Sequence, residues 1–165
     1  MISVAVTMVF TLASTEVLGR AGYVVAFAVL AVFIILGIVF DIIGIAVAVA
    51  DEAPFHSMAV HRERGAREAL RLIKNADKVT SFCNDVVGDV SGIVSGSTAA
   101  LIAARLMQRL STDNLMVPLL ISGAVTGLTI GGKAAGKTFA INKSAVIALK
   151  VGKLLNILHL KSRNK

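Results

Sequence analysis

Residues 22–50 read GYVVAFAVLAVFIILGIVFDIIGIAVAVA, and this stretch decides the fold class of the chain. Its one charged residue is Asp41. A helix needs about 20 apolar residues to cross a bilayer core of about 30 Å, so the stretch predicts a transmembrane helix. The whole chain has 165 residues, of which 56% are hydrophobic and 16% charged. This composition argues against a disordered chain or an ordinary soluble enzyme, and the single Cys83 excludes an internal disulfide.

Three further apolar blocks lie at residues 2–18, 82–107 and 115–132. The first is a marginal span because it contains several hydroxyl residues and one glutamate. We therefore expect an all-α, polytopic membrane protein that forms a single transmembrane domain over residues 1–165. Its three core transmembrane helices cover residues 22–50, 82–107 and 115–132, and an extra N-terminal span covers residues 2–18.

The basic residues predict the orientation of these helices. Of the 17 Lys and Arg residues, 14 lie in residues 51–80 and 133–165. The positive-inside rule places both regions, and both termini, in the cytoplasm of a cell membrane, either a plasma or an inner membrane. Because the basic residues flank apolar blocks, the expected electrostatic partner is an anionic cytoplasmic leaflet and not a nucleic acid.

Helical periodicity predicts an amphipathic juxtamembrane helix in each basic region. The apolar face of the first comprises Ala66, Ala69, Leu70 and Ile73. In the second region, the residues that share a face are Ile147, Val151, Leu154 and Leu158. These spacings are typical of helices that lie on the membrane surface or against each other.

Small residues recur every four positions in the last two predicted spans. The residues are Gly88, Gly92 and Gly96 in one span, and Gly123, Gly127 and Gly131 in the other. Such stripes let helix backbones approach closely in lipid, where packing and hydrogen bonds drive association. Two interpretations remain open: the two spans pack tightly on each other, or the stripes form the face of a dimer.

Several carboxylates lie in or beside the apolar blocks, where an ionisable group costs roughly 2.5–3.5 kcal/mol on insertion scales. Asp51 and Glu52 follow one predicted span, and Asp85 and Asp89 begin the next, so all four lie toward the predicted cytoplasmic side. Clustered oxygen ligands suit a hard divalent cation such as Mg²⁺. The alternative is that these acids pair with nearby Arg and Lys side chains.

Residues 131–138, GGKAAGKT, match the pattern of a phosphate-binding P-loop, in which Lys137 and Thr138 would contact phosphate and Mg²⁺. A P-loop follows a buried strand, whereas this segment follows an apolar helical block. The alternative is a glycine-rich exit from the last span, with its lysines at the lipid headgroups.

An ordered set of weak motifs resembles the transmembrane domain of the CNNM/CorC family, which is associated with Mg²⁺ and Co²⁺ transport. The matching pieces are Glu52-Ala53 with Ser57, residues 65–73 (GAREALRLI), residues 75–78 (NADK), Gly88-Asp89, residues 132–142 (GKAAGKTFAIN) and Ile147-Ala148. The resemblance implies three spans with a juxtamembrane helix, a homodimer, and a dehydrated cation site formed by all three spans. Lys133 and Gly136 depart from the family, which has glutamate and proline there, and its CBS domains have no counterpart in these residues.

Together these observations predict divalent-cation (Mg²⁺) transport or binding by a compact, homodimeric CNNM-like domain. The expected metal ligands are Asp89, Asp51, Glu52, Asn84, Asp85 and Ser91, with backbone carbonyls near Gly131. The second interpretation is a non-transporting membrane scaffold or regulatory subunit, and the third is a membrane-tethered nucleotide binder. No nucleophile–base arrangement is evident, so we do not expect an enzyme.

Overall fold

A computed structural model describes Met8 and residues 22–111 and 114–163 of the chain; the side chains of residues 158–163 are not described. The predicted N-terminal span at residues 2–18 lies outside the described residues, apart from Met8. The described part is helical and contains no strand. Its elements are α1 (Tyr23–Val49), α2 (Ala53–Val60), α3 (Ala66–Lys74), α4 (Ala76–Ser81), a π-helical segment (Phe82–Gly88), α5 (Asp89–Leu110), α6 (Met116–Asn142) and α7 (Ser144–Arg163).

Among the described residues, three helices are long and apolar enough to cross a membrane, which confirms the all-α class and matches the number of predicted core spans. They are α1 with 27 residues, the continuous helix Ala76–Leu110 with 35 residues, and α6 with 27 residues. At 1.5 Å per residue, the two shorter helices are about 40 Å long, enough for a hydrocarbon core of about 30 Å.

Two boundaries differ from those predicted. The third span was predicted to begin at Phe82, but its helix begins at Ala76. The fourth was predicted to end at residue 132, but α6 continues to Asn142. Residues 133–142 include three alanines and two lysines, which favour a helix, and only one glycine, Gly136. The membrane side of each region stays a prediction.

The chain packs as two compact units. Unit 1 comprises residues 1–39 and 85–134, and unit 2 comprises residues 40–84 and 135–165. In unit 1, a core formed by Ala26, Leu30, Ala99 and Ile102 joins α1 to α5. At the end of this core, the Tyr23 hydroxyl donates a 3.2 Å hydrogen bond to the carbonyl of Arg105, which anchors the start of α1.

The glycine stripes of unit 1 do not pack on each other. A Cβ atom built on five of these glycines would meet no heavy atom within 4 Å. The five are Gly92, Gly96, Gly123, Gly127 and Gly131. All five are exposed in the described chain. Unit 1 therefore does not contain the first of the two predicted arrangements, in which the two stripes pack tightly on each other.

The core of unit 2 lies where α3 and α7 cross. Its members are Ala50, Phe55, Ala69, Ile73 and Ala148. The predicted apolar face of α3 is buried at Ala66, Ala69 and Ile73, while the basic residues of the helix are exposed. This burial turns the charged face of α3 outward, as the periodicity predicted.

The predicted face of α7 is correct only in part. Ile147 and Val151 are partly buried, but Leu154 is 59% exposed, and the side chain of Leu158 is not described. Ala148 and Gly152 are the buried positions among the described side chains of this helix. The physical reason is size, because a Cβ placed on Gly152 would clash with the carbonyl oxygen of Gly65 and lie 2.8 Å from the nitrogen of Ala69. Small residues let α7 approach α3 closely, and this close contact selects the buried face over the more hydrophobic one.

Candidate cation site

In unit 2, the end of α1 packs closely against the helix that leads into α5, and Gly44 makes this approach feasible. A Cβ on Gly44 would lie 3.1 Å from Oδ1 of Asn84 and 3.2 Å from Cβ of Cys83. The Thr80 hydroxyl donates a 3.1 Å hydrogen bond to the carbonyl of Gly44. Two adjacent turns of one helix thus bring Thr80, Cys83 and Asn84 against Gly44.

The side chain of Asn84 ends in an unsatisfied oxygen. Its Oδ1 atom is buried and accepts no hydrogen bond from any residue that the structure describes. A buried acceptor without a partner costs about 1–3 kcal/mol, so such atoms are few in native proteins. Asn84 also belongs to the π-helical segment, and short π-helical insertions within α-helices are frequent at functional sites.

Asp41 lies three residues before Gly44 on α1. Residues three apart lie on the same side of a helix, so Asp41 and Gly44 share the face that approaches Asn84. Asp41 is partly buried within the most apolar of the described helices, and it makes no hydrogen bond or ion pair with another described residue. A carboxylate inside a membrane needs a compensating positive charge.

Two of the predicted metal ligands have local partners at the start of α2. Oδ1 of Asp51 accepts a 3.1 Å hydrogen bond from the backbone N–H of Ala53. Oε2 of Glu52 lies 3.5 Å from Nε2 of His56, and both side chains are about half exposed. These contacts are typical of residues at the N-terminus of a helix, and the role of Asp51 and Glu52 as metal ligands stays a prediction.

The other predicted ligands are spread between exposed and buried positions of the chain. Asp85, Asp89 and Gly131 are exposed. Ser91 is 4% exposed and faces Gly37, where an added Cβ would lie 3.2 Å from Cβ of Ser91. Within the described ranges, no three His, Cys, Asp or Glu side chains form a group that could hold a metal ion. The full ligand set therefore stays a prediction.

The sequence already marks Asp41 as an ionisable residue within a predicted span, although not as one of the expected ligands. Asp41 falls four residues after Gly37 and three before Gly44, which places it on the face of α1 that carries both glycines. Small residues on both sides of a carboxylate mark a helix face that can approach a neighbour. The sequence did not predict which helix packs on that face, because the contact is made by Cys83 and Asn84 of the π-helical segment.

The segment that matches the P-loop pattern is helical throughout. Residues 131–138 lie inside α6, which runs from Met116 to Asn142. Helical N–H groups point along the axis toward carbonyls of the same helix, so they do not form the cradle that a P-loop provides. Lys133 is partly buried and Lys137 is exposed on this helix.

No family model, no curated protein and no solved structure matches the chain. The resemblance to the CNNM/CorC transmembrane domain therefore stays a prediction.

Proposed function

We propose that this protein binds a hard divalent cation such as Mg²⁺ within the membrane, at a site formed by Asp41 and Asn84, and transports it. The observation that carries the proposal is the buried, unpartnered Oδ1 atom of Asn84. A cation at this position would supply the missing partner of the amide oxygen and the counter-charge of Asp41 at the same time.

The donor set favours Mg²⁺ over a transition metal. Amide and carboxylate oxygens are hard ligands, and the one thiol nearby, Cys83, is a buried residue whose Cβ faces Gly44. Mg²⁺ usually keeps several waters and takes only one or two carboxylates, so a site with a single aspartate and an amide oxygen is sufficient for it.

The proposal includes a location. The basic residues of 51–80 and 133–165 would face the cytoplasm of a plasma or inner membrane, with both termini on that side, because 14 of the 17 Lys and Arg residues lie there. A cation released from the site toward the cytoplasm would pass the acidic residues Asp51 and Glu52 at the end of α1.

The test is Mg²⁺-dependent stabilisation of the purified protein in detergent, followed with a maleimide that fluoresces on reaction with the single buried Cys83. A ligand present at 100 times its Kd stabilises the folded state by about 2.7 kcal/mol. We expect Mg²⁺ to raise the melting temperature of the wild type, and Asp41→Asn to abolish the effect. Asp77→Asn, which removes an exposed carboxylate, is the matched control.

Substitutions of Asn84 separate a ligand role from a packing role. Asn84→Asp keeps the oxygen and adds a negative charge, so it should strengthen the response to Mg²⁺, whereas Asn84→Leu should remove it. If Asp41→Asn keeps the full Mg²⁺ response, the site is wrong. Mg²⁺ flux into proteoliposomes, compared between wild type and Asp41→Asn, then distinguishes transport from binding alone.

The exposed glycines of α6 favour a second candidate function, a homodimeric membrane scaffold. Gly123, Gly127 and Gly131 face outward with open space at each Cβ position. In lipid, a groove of small residues at four-residue spacing is the surface on which a second copy of the same helix packs. A scaffold would dimerise without any response to Mg²⁺, whereas a transporter can show both properties.

A further inference from the structure

Unit 2 contains a basic cavity, formed by the loop between α2 and α3, the first turn of α3 and one side of α7. The cavity has a volume of ≈ 490 Å³, and its lining residues are Arg62, Glu63, Arg64, Gly65, Arg67, Glu68 and Asn156. A neighbouring groove of ≈ 450 Å³ shares Glu63, Arg64 and Asn156 with it and adds Lys153 and Ile157. This basic cavity is separate from the cation site proposed above.

The backbone holds the arginines of the basic cavity in place. Arg62 and Gly65 have positive φ angles of 56° and 81°. The N–H of Glu63 donates a 3.0 Å hydrogen bond to the carbonyl of Met58, which ties the loop to α2. On the other side, a Cβ on Gly65 would lie 2.5 Å from the backbone nitrogen of Lys153, so the loop rests directly on α7. The fold therefore fixes the backbone of the loop from which the arginine side chains project.

The lining of the basic cavity carries three arginines and two glutamates, so one positive charge remains in excess. None of the three arginines, nor Lys153, forms a salt bridge with a carboxylate in the residues that the structure describes. Glu68 is held on the wall of the cavity, where its Oε1 accepts a 2.8 Å hydrogen bond from Nδ2 of Asn156. No side chain caps the N-terminus of the nine-residue helix α3, which adds its partial positive charge.

We infer that the basic cavity binds a phosphate group. Guanidinium groups present paired N–H donors that match phosphate oxygens. Three arginines line this one cavity and can contact the same phosphate group. The loop lies in sequence between two helices that could span the membrane, so a phospholipid headgroup is within reach. Ile157, 62% exposed beside Lys153, gives the neighbouring groove an apolar edge suited to an acyl chain.

The experiment measures binding of three probes to the full-length protein in neutral detergent: short-chain phosphatidylglycerol, short-chain phosphatidylcholine and inorganic phosphate. Native mass spectrometry counts retained lipid, and thermal shifts give the affinity. The test variant is Arg64→Gln with Arg67→Gln, and the matched control is Lys143→Gln with Lys150→Gln. Both control lysines are exposed and neither lines the cavity.

We expect the wild type to prefer phosphatidylglycerol over phosphatidylcholine. Each basic residue near an anionic lipid contributes about 1 kcal/mol, about fivefold in affinity, so the test variant should bind phosphatidylglycerol about 25-fold more weakly. The control variant should bind as the wild type does. Competition by millimolar inorganic phosphate would identify free phosphate as a ligand of the same site, and failure to compete would identify the lipid headgroup.

Two results would overturn the inference. Equal weakening in the test and control variants would mean that the attraction is a general effect of charge and not of the basic cavity. Absence of binding for both phosphatidylglycerol and inorganic phosphate in the wild type would mean that the cavity is not a phosphate site.

Discussion

Substitution of Gly152 by alanine tests the close contact that holds α7 to α3. The new Cβ would meet the carbonyl oxygen of Gly65 and lie 2.8 Å from the nitrogen and 2.9 Å from the Cβ of Ala69. Two of these atoms are backbone, so no side-chain rotation relieves the contact and the helices must separate. Overpacking of this kind costs about 1–3 kcal/mol, and alanine recovers about 1 kcal/mol of helix propensity.

The expected net loss for Gly152→Ala is therefore between zero and about 2 kcal/mol. A loss of 1 kcal/mol lowers the melting temperature of a chain of this size by roughly 2–4 °C, so we expect a decrease of up to about 8 °C. The assay is the melting temperature in detergent, reported by the reaction of buried Cys83 with a fluorogenic maleimide.

The matched control is Gly96→Ala, which adds the same methyl group to a helix at a position with open space. It should leave the melting temperature unchanged or slightly higher, since only the helix propensity changes. The reasoning is refuted if Gly152→Ala melts at or above the temperature of Gly96→Ala, because then the contact between α7 and Gly65 does not limit the distance between the two helices.

Two further substitutions test the packing of α1 and the outer face of α6. Gly44→Ala should lower the free energy of unfolding by about 1 kcal/mol and weaken the Mg²⁺ response, because the new Cβ would lie 3.1 Å from Oδ1 of Asn84. A melting curve and a Mg²⁺ response like those of the wild type would contradict this expectation. Gly127→Ile should reduce chemical crosslinking of two copies in lipid, whereas Thr126→Ile, at a neighbouring exposed position, should not; equal crosslinking in both would exclude the α6 stripe as the dimer face.

Much of the fold could be predicted from the sequence, because hydrophobic length and helical period are local properties. The three spans and the buried face of α3 follow from the apolar blocks and from the spacing of Ala66, Ala69 and Ile73. The buried face of α7 could not be predicted in this way. Its apolar residues pointed to Leu154, but the shape of the partner helix selected Ala148 and Gly152.

The candidate site was only half predictable for a similar reason. Asn84 stood out as a polar residue at the start of an apolar block, but its lack of a hydrogen-bond partner depends on how closely Gly44 approaches it. Asp51 and Glu52 were equally visible in the sequence, and the structure gives both of them local partners at the start of α2.

The sequence by itself determined that this chain is helical and that three of its helices can cross a membrane, since lipid leaves the backbone no other way to satisfy its N–H and C=O groups over such apolar lengths. It also determined where the basic residues concentrate. Only the tertiary structure decided which small residues carry the helix contacts. Gly44 is buried against the side chains of Cys83 and Asn84, and Gly152 against the backbone of Gly65 and Ala69, whereas Gly92 and Gly127 face open space. Nothing in their local sequence distinguishes these glycines. That difference comes from the shape of the neighbouring helix, which is a property of the folded chain and not of any one segment.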